Sequence, residues 1–188
     1  MKSGYLEITI GPMYSGKSTK LIENITRARK IKKKFLAITN NIDTRYGNNI
    51  ISTHNFIKID AISLDNLKCL LDKNTDHHKL YIEAEMIFIE EAQFFKDLKD
   101  FVIHAVEKDK KHINITGLSG NYKREMFGQI YDLCPYADKI KKLNAYCELC
   151  ADETLGHFTK RITNNDDEIL IGSNKEYITV CREHYLNN

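Results

Sequence analysis

Residues 11–18 read Gly11-Pro12-Met13-Tyr14-Ser15-Gly16-Lys17-Ser18, a complete G-x-x-x-x-G-K-S phosphate-binding loop. The chemistry implied is the cradling of a nucleoside triphosphate. Backbone N–H groups of the loop, with Thr19 closing it, converge on the phosphates at the positive end of a helix. Lys17 would reach the β- and γ-phosphates, and the Ser18 hydroxyl would ligate Mg²⁺. Glu90-Glu91 closes a second apolar run and occupies the slot where such enzymes carry their acidic motif. One carboxylate can serve the Mg²⁺ shell while the other takes a proton from an attacking hydroxyl. Side chains of neighbouring strand residues point to opposite sides, so the two glutamates are expected to divide these roles.

A third constellation lies near the C-terminus. Cys147-x-x-Cys150 and Cys181-x-x-His184 are two short-spaced pairs of soft and borderline ligands. The first pair alone is ambiguous with a redox motif. Together they fit a tetrahedral Zn²⁺ site closed by protein on all four positions, hence structural. Cys69 and Cys134 are expected to be core thiols, and His77-His78 to lie at the surface.

These groups need a scaffold. Tyr5 to Ile10 reads as the strand feeding the loop, and a helix follows from Thr19. Its basic end, from Arg27 to Lys34, suits the negative helix terminus better than a binding patch. Residues 34–38, 86–90 and 113–118 are strand-like, and residues 101–106 continue a helix. Leu64, Leu67, Leu70 and Leu71 carry helical spacing, which predicts a short helix there. Ile50-Ile51 and Phe56 to Ile59 suggest a strand or hairpin, and residues 40–49 a polar, mobile loop. Strands alternating with helices behind a phosphate loop imply an α/β fold with a right-handed, mostly parallel sheet flanked by helices. Past Tyr146 the pattern changes to short β-like pieces at 156–162, 169–171 and 177–181. The expected division is a nucleotide-binding domain over 1–143 and a small module over 144–188.

Composition limits the partners. The 188 residues carry 28 Lys and Arg against 26 Asp and Glu, a net charge of +2. That balance gives no electrostatic case for nucleic-acid binding, including by a phosphate-loop ATPase whose metal module grips DNA. No stretch reaches membrane-span length, and the chain opens on a strand-like run instead of a leader. Five cysteines without even pairing fit a reducing compartment, so a cytoplasmic location is expected.

Gly11 to Thr19, Asp43-Thr44-Arg45-Tyr46, Glu91-Ala92-Gln93-Phe94-Phe95 and the four metal ligands, in this order, resemble the zinc-containing thymidine kinases of the cytosolic and viral type II group. The resemblance spans nearly the whole chain. It implies transfer of the ATP γ-phosphate to the 5′-hydroxyl of thymidine with Mg²⁺. Glu91 would be the general base, Arg124 the cation on the transferring phosphate, with Arg45 assisting and Glu90 in the Mg²⁺ shell. It places Met13, Phe94, Leu118, Tyr122, Phe127, Thr159 and Tyr177 around the thymine. Ile171-Gly172-Ser173 would lie in a lasso loop pairing with the base edge, tied down by a zinc-ribbon module that holds the lid. A homotetramer is also implied. The chain departs from the group's usual pattern with Glu90 for Asp, Ser119 for Asp, Tyr122 for Phe, and a slightly longer link from Cys150 to Thr159.

Overall fold

The computed structural model describes residues 3–42, 49–52, 57–164 and 175–187. In chain order it contains β1 (Tyr5–Gly11), α1 (Lys17–Lys30), β2 (Phe35–Asn40), β3 (Ile50–Ser52), β4 (Lys58–Asp60) and β5 (Ile62–Leu64). Next come α2 (Asp76–Glu83), β6 (Met86–Ile89), α3 (Leu98–Ile103), β7 (His112–Leu118) and β8 (Lys139–Lys142). The C-terminal part adds β9 (Ala145–Tyr146), β10 (Leu155–Gly156), β11 (Phe158–Arg161), β12 (Tyr177–Val180) and α4 (Arg182–Leu186).

Six strands form one sheet in the order β5-β2-β6-β7-β1-β8, parallel throughout. The register sorts the side chains between two faces. Ala37 pairs with Phe88, and both pack with Leu21, Ile22, Ile25 and Ala28 of α1 and with Ile51 and Ile59 of the β3–β4 hairpin. Leu36 pairs with Ile87 and Ile38 with Ile89, and these face the opposite layer with Tyr81, Leu98 and Phe101. Because successive strand residues point to opposite faces, a strand apolar on both is buried on both, as β6 is. The α/β expectation therefore holds, with helices on both sides.

Two local readings are corrected. The leucines at 64–71 do not form one helix: Leu64 ends β5, and only Lys68–Leu70 make a 3₁₀ turn. A carboxylate remote in sequence intervenes, since Asp97 Oδ2 accepts from the backbone N–H of Leu67 at 2.9 Å and of Lys68 at 2.8 Å. The helix of this region is α2, started by Thr75, whose hydroxyl accepts from His78 N at 3.2 Å. His77 and His78 consequently lie half-buried on α2, with His78 Nδ1 2.8 Å from the Leu70 carbonyl oxygen. Cys69 and Cys134 are likewise half-buried, with Cys69 packed against the core. The suggested hairpin is present as antiparallel β3 and β4. The loop read at 40–49 and the piece at 169–171 fall largely outside the described residues. Among the described residues no helix is long and apolar enough to cross a membrane.

Candidate active site

The first strand delivers Gly11 to the carboxyl edge of the sheet, beside Leu118 of β7. There the chain turns sharply, with Tyr14 at φ 62° and Gly16 at φ 80°. Gly16 precedes the first residue of α1, and a left-handed backbone at that point favours a residue without Cβ. Ser15 Oγ donates to the Pro12 carbonyl at 2.8 Å, and Lys17 Nζ donates to the same oxygen at 2.7 Å. Lys17 is buried, so its ammonium is held over the loop instead of in bulk water. The helix behind it opens with no acidic residue in its first turn, which leaves the positive end uncompensated by side chains.

Strand β6 ends at Ile89, in register with Ile115 of β7, and the glutamates follow. Glu90 is buried, and its N–H donates to the Ile38 carbonyl at 2.9 Å. Glu91 has left the strand altogether, with φ 48° and ψ 45°. Strand alternation therefore does not separate the two carboxylates; a left-handed turn does. Gln93 lies buried two residues on, with Nε2 donating to Glu91 Oε2 at 2.5 Å. Its Oε1 accepts from Leu118 N at 3.2 Å, so one amide ties the Glu91 carboxylate to the end of β7.

The aromatic positions form two groups. Phe94 and Phe127 meet edge to face at a centroid distance of 5.6 Å. The Arg161 guanidinium lies 3.7 Å from the Tyr122 ring centroid and donates from Nη2 to the Tyr177 hydroxyl at 2.6 Å. Met13 joins the loop to the C-terminal strands: its N–H donates to Thr159 Oγ1 at 2.9 Å. Arg124 is exposed at φ 66°, with its guanidinium 4.2 Å from the Tyr185 ring centroid and 5.5 Å from that of Phe158. Tyr185 also donates its hydroxyl to the Tyr122 carbonyl at 2.7 Å, fastening this turn to α4. Arg45, Ile171, Gly172 and Ser173 lie outside the described residues.

The metal ligands converge. Cys147 Sγ, Cys150 Sγ, Cys181 Sγ and one ring nitrogen of His184 all lie within 4.8 Å of one another. His184 Nδ1 is 3.5 Å from Cys147 Sγ, 3.4 Å from Cys150 Sγ and 3.4 Å from Cys181 Sγ, while Cys150 Sγ and Cys181 Sγ are 3.9 Å apart. A tetrahedral Zn²⁺ with bonds of about 2.0–2.3 Å requires N···S edges of about 3.5 Å and S···S edges of about 3.8 Å. The donor set fits. Burial works against ionising Cys147, but backbone hydrogen bonds from Cys181, Cys150 and Leu149 outweigh it and bring the thiol down to about 6, while burial and the hydrogen bonds to Cys147 and Cys181 push Cys150 up to about 11. The four donors thus share charge unevenly until a cation joins them.

Sequence reasoning gave no role to Gln93, Arg161, Thr179 or Tyr185. Only Gln93 carried a local signal, an amide two residues beyond an acid. The other three act across contacts between distant segments.

Known proteins resemble this chain over nearly its whole length. The thymidine kinase family model matches residues 4–185. A thymidine kinase of Oryza sativa subsp. japonica is 37% identical over 185 residues, covering 98% of this chain and 67% of the rice protein. Thymidine kinase a of Arabidopsis thaliana is 35% identical, over 99% of this chain and 76% of its own. The thymidine kinase of vaccinia virus is 32% identical over the full length of both chains. With the family model matching residues 4–185 and relatives 32–37% identical across nearly the whole chain, the protein belongs to the thymidine kinase family.

Proposed function

We propose that this chain transfers the γ-phosphate of ATP to the 5′-hydroxyl of thymidine, giving ADP and thymidine monophosphate for nucleotide salvage. The observation that carries the residue assignment is the Gln93 bridge, which holds the Glu91 carboxylate against the end of β7. The same sheet edge receives the phosphate loop. Glu91 accepts the 5′-hydroxyl proton as oxygen attacks phosphorus, and the bond to the β,γ-bridging oxygen breaks to release ADP. Lys17 carries positive charge to the transferring group, and the loop N–H groups orient it. Arg124 adds its charge once turned from the aromatic faces of Tyr185 and Phe158, with Arg45 assisting.

Ser18 and Glu90 offer the oxygen donors that Mg²⁺ takes, and they are the residues that would hold it. When bound, Mg²⁺ neutralises phosphate charge. Cys147, Cys150, Cys181 and His184 are the residues that would hold Zn²⁺, which would stabilise the module over 144–188; Ile171-Gly172-Ser173 are assigned to the base edge by the family resemblance alone. Met13, Phe94, Leu118, Tyr122, Phe127, Thr159 and Tyr177 shape the thymine pocket. The working form is a cytoplasmic homotetramer.

The test is a nucleoside panel with ATP and Mg²⁺. ADP release dependent on thymidine is the expected result. Turnover with another nucleoside in preference to thymidine would overturn the substrate assignment, and sedimentation equilibrium checks the assembly.

A further inference from the structure

The backbone of Met13, inside the phosphate loop, is held from outside on both sides. Its N–H donates to Thr159 Oγ1 at 2.9 Å, and its carbonyl accepts from Thr179 Oγ1 at 2.8 Å. The two threonines are not independent. They are direct cross-strand partners in the antiparallel pair β11–β12, and both are buried, Thr179 to 1% exposure. Cross-strand partners on one face project side by side, so the pair presents one acceptor and one donor to a single residue.

Thr179 is itself fixed from behind. A Cβ on Gly156 would approach its Cγ2 methyl to 2.7 Å, so the methyl is packed against bare glycine backbone. A methyl held there fixes χ1, and with it the direction of the hydroxyl. The backbone of Thr179 is bonded in both directions to Glu148, between the knuckle cysteines Cys147 and Cys150. Glu148 N donates to Thr179 O at 2.9 Å, and Thr179 N donates to Glu148 Oε1 at 3.3 Å. Cys181 follows two residues later.

We infer that Thr179, with Thr159, is a positioning residue for phosphate binding: the pair clasps Met13 and sets the shape of the loop, making the cysteine–histidine module a structural part of the nucleotide site. The inference rests on the reading of residues 11–18 as the phosphate loop. The loop contains left-handed residues at Tyr14 and Gly16, backbone that costs energy to hold at a non-glycine position. Bonds on both sides of Met13 supply that constraint from a segment remote in sequence. Removing the Thr179 hydroxyl leaves the Met13 carbonyl without this donor and lets the loop relax before nucleotide arrives.

The experiment is calorimetric titration of the full chain, zinc-loaded, with Mg²⁺–ADP, without thymidine. Thr179→Val is expected to bind about 3- to 10-fold more weakly, the effect of one buried hydrogen bond. Thr179→Ser, which keeps the donor, is expected to stay within about threefold of wild type. In turnover, the KM for ATP rises more than kcat falls. Zinc content and melting midpoint are read alongside, because a merely structural role would move the midpoint and leave ADP affinity alone. Should Thr179→Val not fold, Thr179→Ala removes the hydroxyl without adding an atom and carries the same comparison. Wild-type affinity in a folded, hydroxyl-free variant overturns the clasp alone. Failure of the wild-type protein to bind Mg²⁺–ADP overturns the phosphate-loop reading with it.

Discussion

Gln93 holds Glu91 by its carboxylate: the amide nitrogen donates to Glu91 Oε2 at 2.5 Å while the amide oxygen accepts from Leu118 N at 3.2 Å. The second bond fixes which end of the amide faces the acid, so Gln93 cannot present its oxygen to Glu91 without losing Leu118. Glu91 itself is in a left-handed conformation, a cost for a non-glycine residue that surrounding structure must hold in place. The pair is thus one hydrogen-bonded unit, a carboxylate and the amide that orients it.

Glu91→Gln keeps the shape and removes the proton acceptor. Turnover is expected to fall by about 10²–10⁴-fold, the usual contribution of a positioned base. Mg²⁺–ADP affinity should stay near wild type. Gln93→Leu leaves the acid present but without this amide, so kcat should fall less, by about 10-fold, since misplacement alone can cost that much. Steady-state kinetics on both variants, with ADP titration as the control, decide this. A Gln93→Leu enzyme with normal kcat would separate the amide from the reaction.

Lys17→Ala tests the charge at the loop. The ammonium is buried and bonded to the Pro12 carbonyl, so its removal takes a cation from a site with little water. Positioned charge supplies most of the catalysis in phosphoryl transfer, and a loss of about 10²-fold or more in kcat is expected. Circular dichroism and the melting midpoint should report a folded protein. Near-normal turnover would remove Lys17 from the machinery.

The phosphate-loop motif is legible in the sequence because its residues are contiguous. The loop is eight consecutive positions, and the sheet it needs follows from apolar runs that are buried on both faces. The metal set was legible for a similar reason, two short-spaced pairs whose residue types leave few other uses. What escaped was set by distant contacts. The helical spacing of Leu64, Leu67, Leu70 and Leu71 is real, yet Asp97 takes the backbone donors at 67 and 68, so the turn starts there and Leu64 stays in β5. Thr179 looked like an ordinary strand residue because its partner, Met13, lies at the other end of the chain. Arg124 was read for its charge, and that charge rests on the aromatic faces of Tyr185 and Phe158.

The cysteine–histidine cluster predicts one Zn²⁺ per chain, measurable by elemental analysis of protein purified without chelator. A closed four-ligand site contributes folding energy, so its loss is felt locally first. Cys150→Ala should lower the melting midpoint and raise amide exchange over β11 and β12. The β1–β7 core should stay protected, because its packing involves none of the ligands. Protein containing no zinc would refute the assignment.

The last prediction concerns alkaline stability and lies far from the reaction. The Tyr81 phenol is buried and donates to Asp109 Oδ2. Burial first, then the hydrogen bond to Asp109 and its negative charge, raise the Tyr81 pKa well above the usual phenol range. For an acid held neutral in the fold, the unfolded chain loses its proton first, from about pH 10 upward. The stabilisation is therefore complete below that pH and is lost progressively as pH rises further. Lys111 acts in the opposite sense, because burial holds its pKa below the usual lysine value despite the charges of Asp109 and Glu85. Its Nζ also donates to the Tyr81, Ile82 and Ala84 carbonyls at 2.9, 3.1 and 2.6 Å, capping the end of α2. Tyr81→Phe leaves Lys111 in place, so comparing the two proteins isolates the phenol. At pH 7 the variant should be less stable by about 1 kcal/mol, the worth of a lost hydrogen bond whose acceptor, Asp109, stays open to solvent. Above pH 10 the wild type should lose stability faster than Tyr81→Phe, and the two denaturation curves should converge. Urea unfolding at pH 7, 9, 10 and 11 gives the answer, and parallel loss across that range would show that the phenol does not titrate with folding.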